Sequence, residues 1–291
     1  MSISGQNLTI VILTFKSQKV IDSCIESINQ NIPIIVVENS NNQNFKDYLE
    51  SKYKNLKCIL SKANLGFGAG NNIGIKEAKT DYVLILNPDA TLESNTLNEL
   101  FLASEKIRDF SILSPICSDI NFPNYGMFDD KKYTNNTKSP FKVDYVDGYG
   151  IILNKKKFKD NFYYDENMFL HLDSIDLCLR INKSGGNIYV VPLSKINHDG
   201  GKSVDSKYSE EIELSRNWHW IWSKFYFNKK HFGLFEAIRE GFLRYISSII
   251  KFIFYFLINN NIKKKIYFNR ASGFYNALLG KNSWYRPNLP D

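Results

Sequence analysis

The 291-residue chain has few cysteines and none in a closely spaced pair, which excludes two classes of small cross-linked protein. A disulfide framework needs several cysteines at characteristic spacings, and a zinc knuckle needs a Cys-x-x-Cys pair. We therefore expect each cysteine to be a small buried side chain in a reducing compartment. The four cysteines are Cys24, Cys58, Cys117 and Cys178.

The sequence also lacks a recognisable leader. Its first residues, MSISGQNLTIVILTF, have neither the basic start nor the small-residue cleavage site of a signal peptide, and their apolar run is too short to span a bilayer. We therefore expect a cytoplasmic protein. A hydrophobic content of 43% predicts a packed core, and the net charge of +7 fits a solvated basic surface or an anionic partner.

Strand-like and helix-like segments alternate through the first half of the chain. Short apolar runs at residues 9–15, 32–39, 57–61 and 81–90 are typical of strands buried on both faces. Because helical segments separate them, we predict an α/β fold: a mainly parallel, doubly wound sheet with helices on both faces. Ligands bind such sheets at the carboxyl ends of the strands. The polar residues at those ends are Thr14, Glu38, Asn64, Asn87 and Asp89.

The segment LILNPDA, residues 84–90, ends a buried strand with Asn87, Pro88 and Asp89. A carboxylate at this edge of a sheet is well placed to hold a divalent cation, because hard cations take oxygen ligands and bridge to substrate phosphates. Asn, Pro and Asp also favour a simple turn. Composition alone leaves both interpretations open.

Two other segments are rich in glycine. NLGFGAGNNIG, residues 64–74, has neither a Walker A ending nor GxGxxG spacing, so it indicates close backbone approach to a nucleotide or a tight, asparagine-capped turn into a helix. NHDGGKS, residues 197–203, places His198 after a strand. An imidazole there suits a metal ligand, a phosphate partner or a structural residue.

The segment HLDSIDLCLR, residues 171–180, contains Asp173 and Asp176 at the start of a predicted helix. Either carboxylate could take a proton from a substrate. Asp173 and Asp176 also resemble a helix-capping pair, and Asp176 with Arg180 forms an i,i+4 ion pair. Catalysis and helix initiation therefore remain alternatives.

Taken in order, these segments resemble glycosyltransferase family 2, particularly its bacterial rhamnosyltransferase-like branch, which has the GT-A fold. The resemblance covers roughly residues 8–225, and RASGFYNALLGK, residues 270–281, is similar to that branch's usual ending. The matching motifs are IVILTFKS, IIVVENSN, NLGFGAGNNIGIKEA, DYVLILNPDATL, VDYVDGYGIILNKKKF, YYDENMFLHLDSIDLCLRINKSGGNIYVVP and INHDGGKSV.

The resemblance implies an inverting glycosyltransferase that uses a nucleotide-sugar donor, dTDP-rhamnose or a UDP-hexose. It would transfer the sugar to a saccharide or lipid-linked acceptor in bacterial surface polysaccharide synthesis. The resemblance also implies a divalent cation, Mg²⁺ or Mn²⁺, held by Asp89 and His198. A catalytically impaired relative that binds sugar nucleotides or glycans is the alternative. The implied donor-binding residues are Thr14, Glu38, Asn64, Gly66, Asn71, Asn87 and Asp89, and those near the acceptor are Asp147 and Gly148.

The chain departs from the branch at the position of the catalytic base. The branch usually has Glu-Asp-x-Asp where this chain has Asp173-Ser174-Ile175-Asp176, so a serine occupies the position of the expected base. Serine is too weak a base to replace a carboxylate. Either Asp173 or Asp176 takes the role, or the enzyme is impaired or uses another strategy. Of the two aspartates we favour Asp173, because N-cap side chains face the mouth of the pocket.

After about residue 225 the sequence changes character, so we predict a catalytic domain at residues 1–225 and a helical extension at 226–291. The extension combines an apolar run, residues 242–258, with the basic cluster Lys263-Lys264-Lys265. This pattern suits an interfacial helix on an anionic membrane, or a helix packed on the catalytic domain or in a homodimer. We expect peripheral contact with the inner face of the cell membrane and no nucleic-acid binding, since no such motif is present.

Overall fold

The computed structural model describes residues 2–28, 31–128, 137–198, 200–201 and 203–289. Residues 129–136, together with Asp199 and Lys202 of NHDGGKS, lie outside them. The chain divides into two compact units. The first unit is Met1–Leu65, Ala69–Asp165 and Ser174–Asp205, and the second is Gly66–Gly68, Glu166–Asp173 and Ser206–Asp291.

The strands of the first unit follow the short apolar runs of the sequence. In chain order the described strands are β1 (Leu8–Thr14), β2 (Ile34–Glu38), β3 (Leu56–Leu60), β4 (Tyr82–Leu86), β5 (Ala90–Leu92), β6 (Ile112–Cys117), β7 (Tyr125–Gly126), β8 (Phe141–Lys142), β9 (Tyr145–Val146), β10 (Gly150–Asn154) and β11 (Ile188–His198). Nine of them form one sheet in the order β3-β2-β1-β4-β10-β6-β11-β5, with β8 also paired to β11, and β7 pairs with β9.

The sheet has a parallel half and a mixed half. Strand β1 is parallel to β2 and β4, and β2 is parallel to β3. Strand β10 is antiparallel to both β4 and β6, whereas β11 is parallel to β6 and antiparallel to β5 and β8. Further strands were expected in residues 110–160, but the antiparallel direction of β10 was not predicted, because that segment has no clear alternation of strands and helices.

Helices connect the strands and then form the C-terminal part of the chain. The described α-helices are α1 (Ile21–Glu26), α2 (Gln43–Lys52), α3 (Phe67–Glu77), α4 (Thr96–Lys106), α5 (Asp173–Lys183), α6 (Ser209–Phe232), α7 (Leu234–Leu257) and α8 (Asn261–Leu278). Short 3₁₀ turns occupy Lys155–Lys157, Lys159–Asn161 and Ser206–Tyr208.

Helices cover both faces of the sheet, as predicted. Successive residues of a strand point to opposite faces, and Ile10 of β1 lies in the core formed with α1, α2 and α4. Val11 and Leu13 point to the other face, where α3 lies. A Cβ added at Gly70 or Gly74 of that helix would come within 2.4 Å of Leu13 or Val11, respectively. These glycines therefore let α3 lie close against the sheet.

The second unit contains helices α6, α7 and α8 around an aromatic core that includes Trp218, Trp222 and Phe274. The predicted domain boundary after residue 225 lies inside α6, and the division made there stays a prediction. In the described part of the chain, none of the helices combines the length and apolar character needed to cross a membrane.

Three of the four cysteines are buried, as expected. The expectation was wrong for Cys117, which is half-buried at the end of β6. Cys117 is the last residue of β6, and the end of a strand is only partly covered by its neighbours.

Candidate functional site

Strands β1 and β2 end side by side at Thr14 and Glu38, which are register partners and fully buried. The Thr14 hydroxyl donates a hydrogen bond to Glu38 Oε2 at 2.5 Å. The other oxygen, Oε1, accepts from the Ser40 backbone N–H at 3.0 Å and from the Ser40 hydroxyl. The structure thus brings these two predicted donor-binding residues together and gives the buried carboxylate three protein donors.

Asn39, which the sequence analysis missed, organises the loop that follows β3. Its Oδ1 accepts hydrogen bonds from the Ser61 hydroxyl at 2.9 Å and the Leu65 backbone N–H at 3.1 Å. Its Nδ2 donates to Asn64 Oδ1 at 3.0 Å. The position of Asn64, a predicted donor-binding residue, is therefore set from β2. The signal in the sequence was the amide residue directly after the buried run IPIIVVE.

Two asparagines are buried side by side in α3. Asn72 donates through Nδ2 to the Tyr164 carbonyl at 2.9 Å and accepts from the Tyr164 N–H at 3.0 Å. This exchange uses both ends of the amide, so Asn72 clamps the chain around Tyr164. Asn71, the predicted donor-binding residue, is fully buried beside it.

The predicted cation ligands Asp89 and His198 are brought together by the sheet. Asp89 precedes β5 and His198 ends β11, and these strands pair with Ala90 opposite His198. His198 Nε2 lies 3.4 Å from Asp89 Oδ1, and the Asp89 side chain is only 1% exposed. Within the described residues, neither Asp89 oxygen nor His198 Nε2 has a hydrogen-bond partner.

This pair has the chemistry of a cation site. Burial raises the pKa of Asp89, but the nearby His198 imidazole, together with the Asp89 backbone and Ser203, outweighs it and leaves that pKa below its ordinary value. A buried carboxylate without hydrogen bonds is costly unless a cation satisfies its oxygens. One carboxylate and one imidazole fit a divalent ion that takes its other ligands from phosphate and water. No larger metal-binding group of His, Cys, Asp or Glu occurs in the part of the chain that the structure describes.

Asn87 and Asp89 have different roles within the same turn. The Ala90 N–H donates to the Asn87 carbonyl at 3.1 Å, which closes a β-turn over Pro88. The Asn87 N–H donates to the Tyr149 carbonyl at 2.9 Å. The turn interpretation of NPDA is therefore correct, and the turn places the Asp89 carboxylate beside His198.

Tyr149 is a second residue that the sequence analysis missed. Its ring stacks on the His198 imidazole, with centroids 4.0 Å apart and planes 12° apart. This contact fixes the imidazole plane while Nε2 faces Asp89. Tyr149 follows Asp147 and Gly148 in the motif VDGYGIIL, and the aromatic residue before a buried strand was the available signal.

The predicted acceptor-side segment lies near the same histidine. Asp147 is exposed, but the surrounding protein reduces its hydration and raises its pKa, and His198 opposes that rise. Asp147 is therefore within electrostatic reach of His198, and Gly148 is buried next to it. Asp89, His198, Asp147 and Tyr149 form one group in the first unit.

Asp176 is half of a buried ion pair. Its side chain is 0% exposed, and its Oδ2 accepts a hydrogen bond from Arg180 Nε at 2.8 Å. The Arg180 guanidinium also donates to the Tyr163 carbonyl and lies 4.6 Å from the centroid of the Phe162 ring. The i,i+4 interpretation of Asp176 is therefore correct. A carboxylate held in this way is poorly placed to receive a proton from a substrate.

The start of α5 has unusual backbone geometry. His171 and Leu172, the two residues before Asp173, have φ angles of +69° and +61°. Such left-handed conformations are costly for residues with a Cβ and cluster at functional sites. Burial, together with the positive charge of Arg216, lowers the pKa of His171 to about 4, so its imidazole is neutral at pH 7. Asp173 is itself 6% exposed.

Contacts within the second unit hold this loop. The Phe169 ring stacks on His219 with centroids 4.4 Å apart, and the Arg286 guanidinium lies 3.9 Å from the Phe169 ring centroid. The Phe169 carbonyl accepts from the Phe67 N–H at 2.8 Å. A Cβ added at Gly66, whose φ is +84°, would lie 2.2 Å from that carbonyl. Gly66, a predicted donor-binding residue, is therefore required for packing against this loop.

Sequence comparison matches residues 9–162 to the family described as Glycosyl transferase family 2. The chain is 24% identical to the low-salt glycan biosynthesis hexosyltransferase Agl10 of Haloferax volcanii, with 62% of this chain and 64% of Agl10 covered. It therefore spans slightly less than two thirds of that relative. It is 26% identical to the dTDP-rhamnosyl transferase RfbF of Shigella flexneri (69% and 72% covered) and 25% identical to the rhamnosyltransferase WbbL of Escherichia coli K12 (72% and 88%).

Solved structures share the fold at low sequence identity. Residues 1–349 of S. aureus TarS superpose with a TM-score of 0.53 at 13% identity, covering 96% of this chain and 93% of that one. The mannosyltransferase PcManGT of Pyrobaculum calidifontis, solved with GDP-Man and Mn²⁺, superposes with a TM-score of 0.55 at 11% identity, covering 96% and 87%. These similarities confirm the predicted GT-A fold with its C-terminal helical region.

Proposed function

The chain belongs to glycosyl transferase family 2, and from this premise we propose that it is an inverting, divalent-cation-dependent sugar transferase. We propose a nucleotide-diphospho-sugar as donor, with dTDP-rhamnose or a UDP-hexose as the candidates. RfbF is named as a dTDP-rhamnosyl transferase and Agl10 as a hexosyltransferase, which supports these two classes. The proposed acceptor is a hydroxyl of a saccharide or of a lipid-linked saccharide in bacterial surface polysaccharide synthesis.

The observation that carries this proposal is the buried Asp89 carboxylate facing His198. Their unsatisfied oxygen and nitrogen atoms would hold the cation. A bound Mg²⁺ or Mn²⁺ would offset the negative charge that develops on the departing nucleoside diphosphate. Thr14, Glu38, Asn64, Gly66, Asn71 and Asn87 are the proposed donor-side residues, and Asp147 and Gly148 are proposed to lie toward the acceptor.

Asp173 is our proposed general base. The acceptor oxygen would form a bond to the anomeric carbon while the bond from that carbon to the diphosphate oxygen breaks, which inverts the centre. The hydroxyl proton would pass to the Asp173 carboxylate. A positioned base contributes roughly 10²–10⁴-fold to such a rate. Asp176 is the less suitable candidate because it is already paired with Arg180.

Activity with a panel of donors tests the proposal. The full chain would be incubated with UDP- and dTDP-sugars, each with Mn²⁺ or with EDTA, and nucleoside diphosphate release would be followed by chromatography. We expect turnover with one donor class, and only with the metal. Saturable donor binding without any release would instead support the second candidate, a binding relative without catalysis, which Ser174 at the expected base position favours.

We also propose peripheral contact with an anionic membrane through one face of α7. The opposite face packs on α8, where Tyr245 stacks on Phe274 with ring centroids 4.9 Å apart. The exposed face is mainly apolar and is interrupted by Arg239, which is also exposed. Its exposed side chains include Phe235, Phe242, Leu243, Ile246, Ile250, Ile253 and Leu257.

The distribution of charge supports a lipid surface as the partner. Residues 241–290 contain eight Lys or Arg and no Asp or Glu, whereas residues 1–240 contain 29 of each sign. Residues 1–240 are therefore neutral overall, and residues 241–291, which include most of the apolar face, carry the net charge of +7. Basic residues beside an apolar helix face suit anionic headgroups. A symmetric homodimer through this face would place like charges together.

Vesicle co-sedimentation tests the membrane contact. The full chain should sediment with vesicles containing phosphatidylglycerol, and Ile250→Gln/Ile253→Gln should remain in the supernatant. Leu102→Gln, at an equally exposed leucine of α4, is the matched control. Equal sedimentation of all three proteins would refute the contact, as would a dimer that dissociates only in the double variant.

A further inference from the structure

A pocket of about 350 Å³ lies within the second unit, between α6, the end of α8 and the loop that leads to α5. We refer to it as the lysine pocket. Its floor contains Trp222 and Phe225, which are buried. Its polar lining residues are Asn167, Tyr226, Lys229, Lys230, Lys281 and Asn282.

A rigid turn at the end of α8 shapes one wall of the pocket. The Gly280 N–H donates to the Ala277 carbonyl at 3.0 Å, and the Lys281 N–H donates to the Asn276 carbonyl at 3.0 Å. These are the two hydrogen bonds of a Schellman motif, which requires a left-handed residue, and Gly280 has a φ of +70°. The ending NALLGK of the sequence thus fixes where Lys281 and the following Asn282 lie.

The aromatic floor is also fixed in place. The Trp222 ring stacks on Tyr226 with centroids 5.0 Å apart and planes 13° apart. Its indole N–H donates to the Lys281 carbonyl at 3.0 Å, which joins the floor to the turn. The ring of Tyr226 is partly exposed in the pocket wall. A flat aromatic wall of this kind suits the apolar face of a sugar ring.

The charge of the lining determines the class of ligand. Three lysines, Lys229, Lys230 and Lys281, are among the lining residues, and no carboxylate is among the described residues that line the pocket. Three cations around one small space favour a ligand with two or more negative charges, such as a diphosphate or a phosphate monoester. The amides of Asn167 and Asn282 can donate to and accept from hydroxyl groups.

The position of Asn167 connects this pocket to the acceptor. Asn167 lies six residues before Asp173, in the loop held by Phe169 and its partners. We propose that the lysine pocket binds the phosphate-bearing end of an anionic saccharide acceptor. This inference rests on the proposed function, because it assigns the pocket to the acceptor of the same transfer reaction. The ligand chemistry is a sugar that carries a phosphate or diphosphate.

Calorimetric titration of the full chain tests this assignment. The probes are glucose 1-phosphate, inorganic pyrophosphate and glucose, each in EDTA so that cation-dependent binding near Asp89 does not contribute. We expect both phosphate compounds to bind and glucose not to bind measurably. Lys229→Gln/Lys281→Gln should weaken glucose 1-phosphate binding at least about tenfold, because each lost ammonium removes a charge-assisted contact.

Matched controls separate this result from other effects. Lys54→Gln/Lys106→Gln removes two exposed lysines elsewhere, and its affinity for glucose 1-phosphate should equal that of the unmodified chain. The inference would be overturned if Lys229→Gln/Lys281→Gln bound glucose 1-phosphate as tightly as the unmodified chain does. Equal binding of glucose and glucose 1-phosphate by the unmodified chain would also overturn it. UDP and dTDP binding with Mn²⁺ should be unchanged in both variants. A chain that binds glucose 1-phosphate but releases no nucleotide from any donor would refute the proposed catalysis and leave this pocket assignment standing.

Discussion

The edge of the sheet at Asp89 and helix α5 at Asp176 both bury an aspartate, and the protein treats the two in opposite ways. The side chain of Asp176 is inaccessible to solvent and is matched by the Arg180 guanidinium at 2.8 Å. The Asp89 carboxylate is equally inaccessible, yet its oxygens have no hydrogen-bond partner among the described residues, and His198 Nε2 is 3.4 Å away. A buried carboxylate that is paired with a protein guanidinium belongs to the fold, and losing either partner is costly. A buried carboxylate without such a protein partner indicates a bound metal cation.

The largest expected effect is the loss of turnover when the proposed catalytic base is removed. Asp173→Asn removes the proposed base while leaving the Asp176–Arg180 pair intact. We expect the turnover number to fall roughly 10²–10⁴-fold with little change in donor affinity. Initial rates of nucleoside diphosphate release measure it, and Ser174→Ala, which should transfer at near the parental rate, is the control. An Asp173→Asn enzyme with parental turnover would refute the base assignment.

Removing the carboxylate of the Asp176–Arg180 pair should lower the free energy of unfolding. Asp176→Asn leaves the Arg180 charge partly buried without its carboxylate, at an expected cost of about 3–5 kcal/mol in the free energy of unfolding. Asp89→Asn weakens only the longer contact with His198, at 3.4 Å, so we expect it to cost less than about 1.5 kcal/mol. Urea denaturation of both variants measures the difference. Equal losses would show that the two aspartates are not distinguished as we infer.

Acid should destabilise the second unit through histidines held neutral. Burial lowers the pKa of His219 to about 3, although the Tyr285 carbonyl opposes this, so the folded state binds fewer protons than the unfolded one below pH 6.5. The stabilisation is complete above pH 6.5 and is lost as the pH falls toward 3. Between pH 6.5 and 4.5 we expect a loss on the order of 2 kcal/mol.

His219→Gln tests the source of this pH dependence. Its imidazole is hydrogen-bonded at both nitrogens, to the Tyr285 carbonyl and to the Ser283 hydroxyl, so the variant is expected to be less stable at every pH. The decisive readout is therefore the slope of unfolding free energy against pH, which should become shallower. An unchanged slope would assign the acid sensitivity to other groups.

The smallest expected effect concerns His198, the second proposed ligand of the cation. His198→Gln keeps a polar side chain beside Asp89 but removes the imidazole nitrogen and the ring that stacks on Tyr149. We expect Mn²⁺ affinity to fall about tenfold, within the range seen when a metal ligand's surroundings are altered. Competition with a fluorescent chelator measures it. Parental affinity would remove His198 from the site.

Local patterns were sufficient to predict the parallel half of the sheet. Apolar runs with intervening helical segments identified β1 to β4, and the order of polar residues after those strands led to Thr14, Glu38 and Asp89. The same patterns could not predict β10, because an antiparallel strand inserted between β4 and β6 depends on pairing between distant segments. Sequence periodicity contains no information about such pairing.

The missed contributors to the site depend on the same long-range geometry. Tyr149 matters because β10 and β11 bring its ring onto His198, and nothing near residue 149 in the sequence predicts that contact. The two interpretations of Asp176 could be separated only when Arg180 was seen to donate to it. The glycines of residues 64–74 were predicted either to approach a nucleotide or to form a tight turn into a helix. In the structure, Gly70 and Gly74 pack against β1 and Gly66 packs against Phe169.

Mn²⁺ binding by Asp89→Asn tests the central claim most directly. Electron paramagnetic resonance of Mn²⁺ would be recorded with the unmodified chain and UDP, with Asp89→Asn, and with Asp81→Asn, which alters a surface aspartate paired with Lys156. We expect bound Mn²⁺ with the unmodified chain and with Asp81→Asn, and at least about tenfold weaker binding with Asp89→Asn. Equal Mn²⁺ affinity in all three proteins would contradict the assignment of Asp89 as the cation ligand.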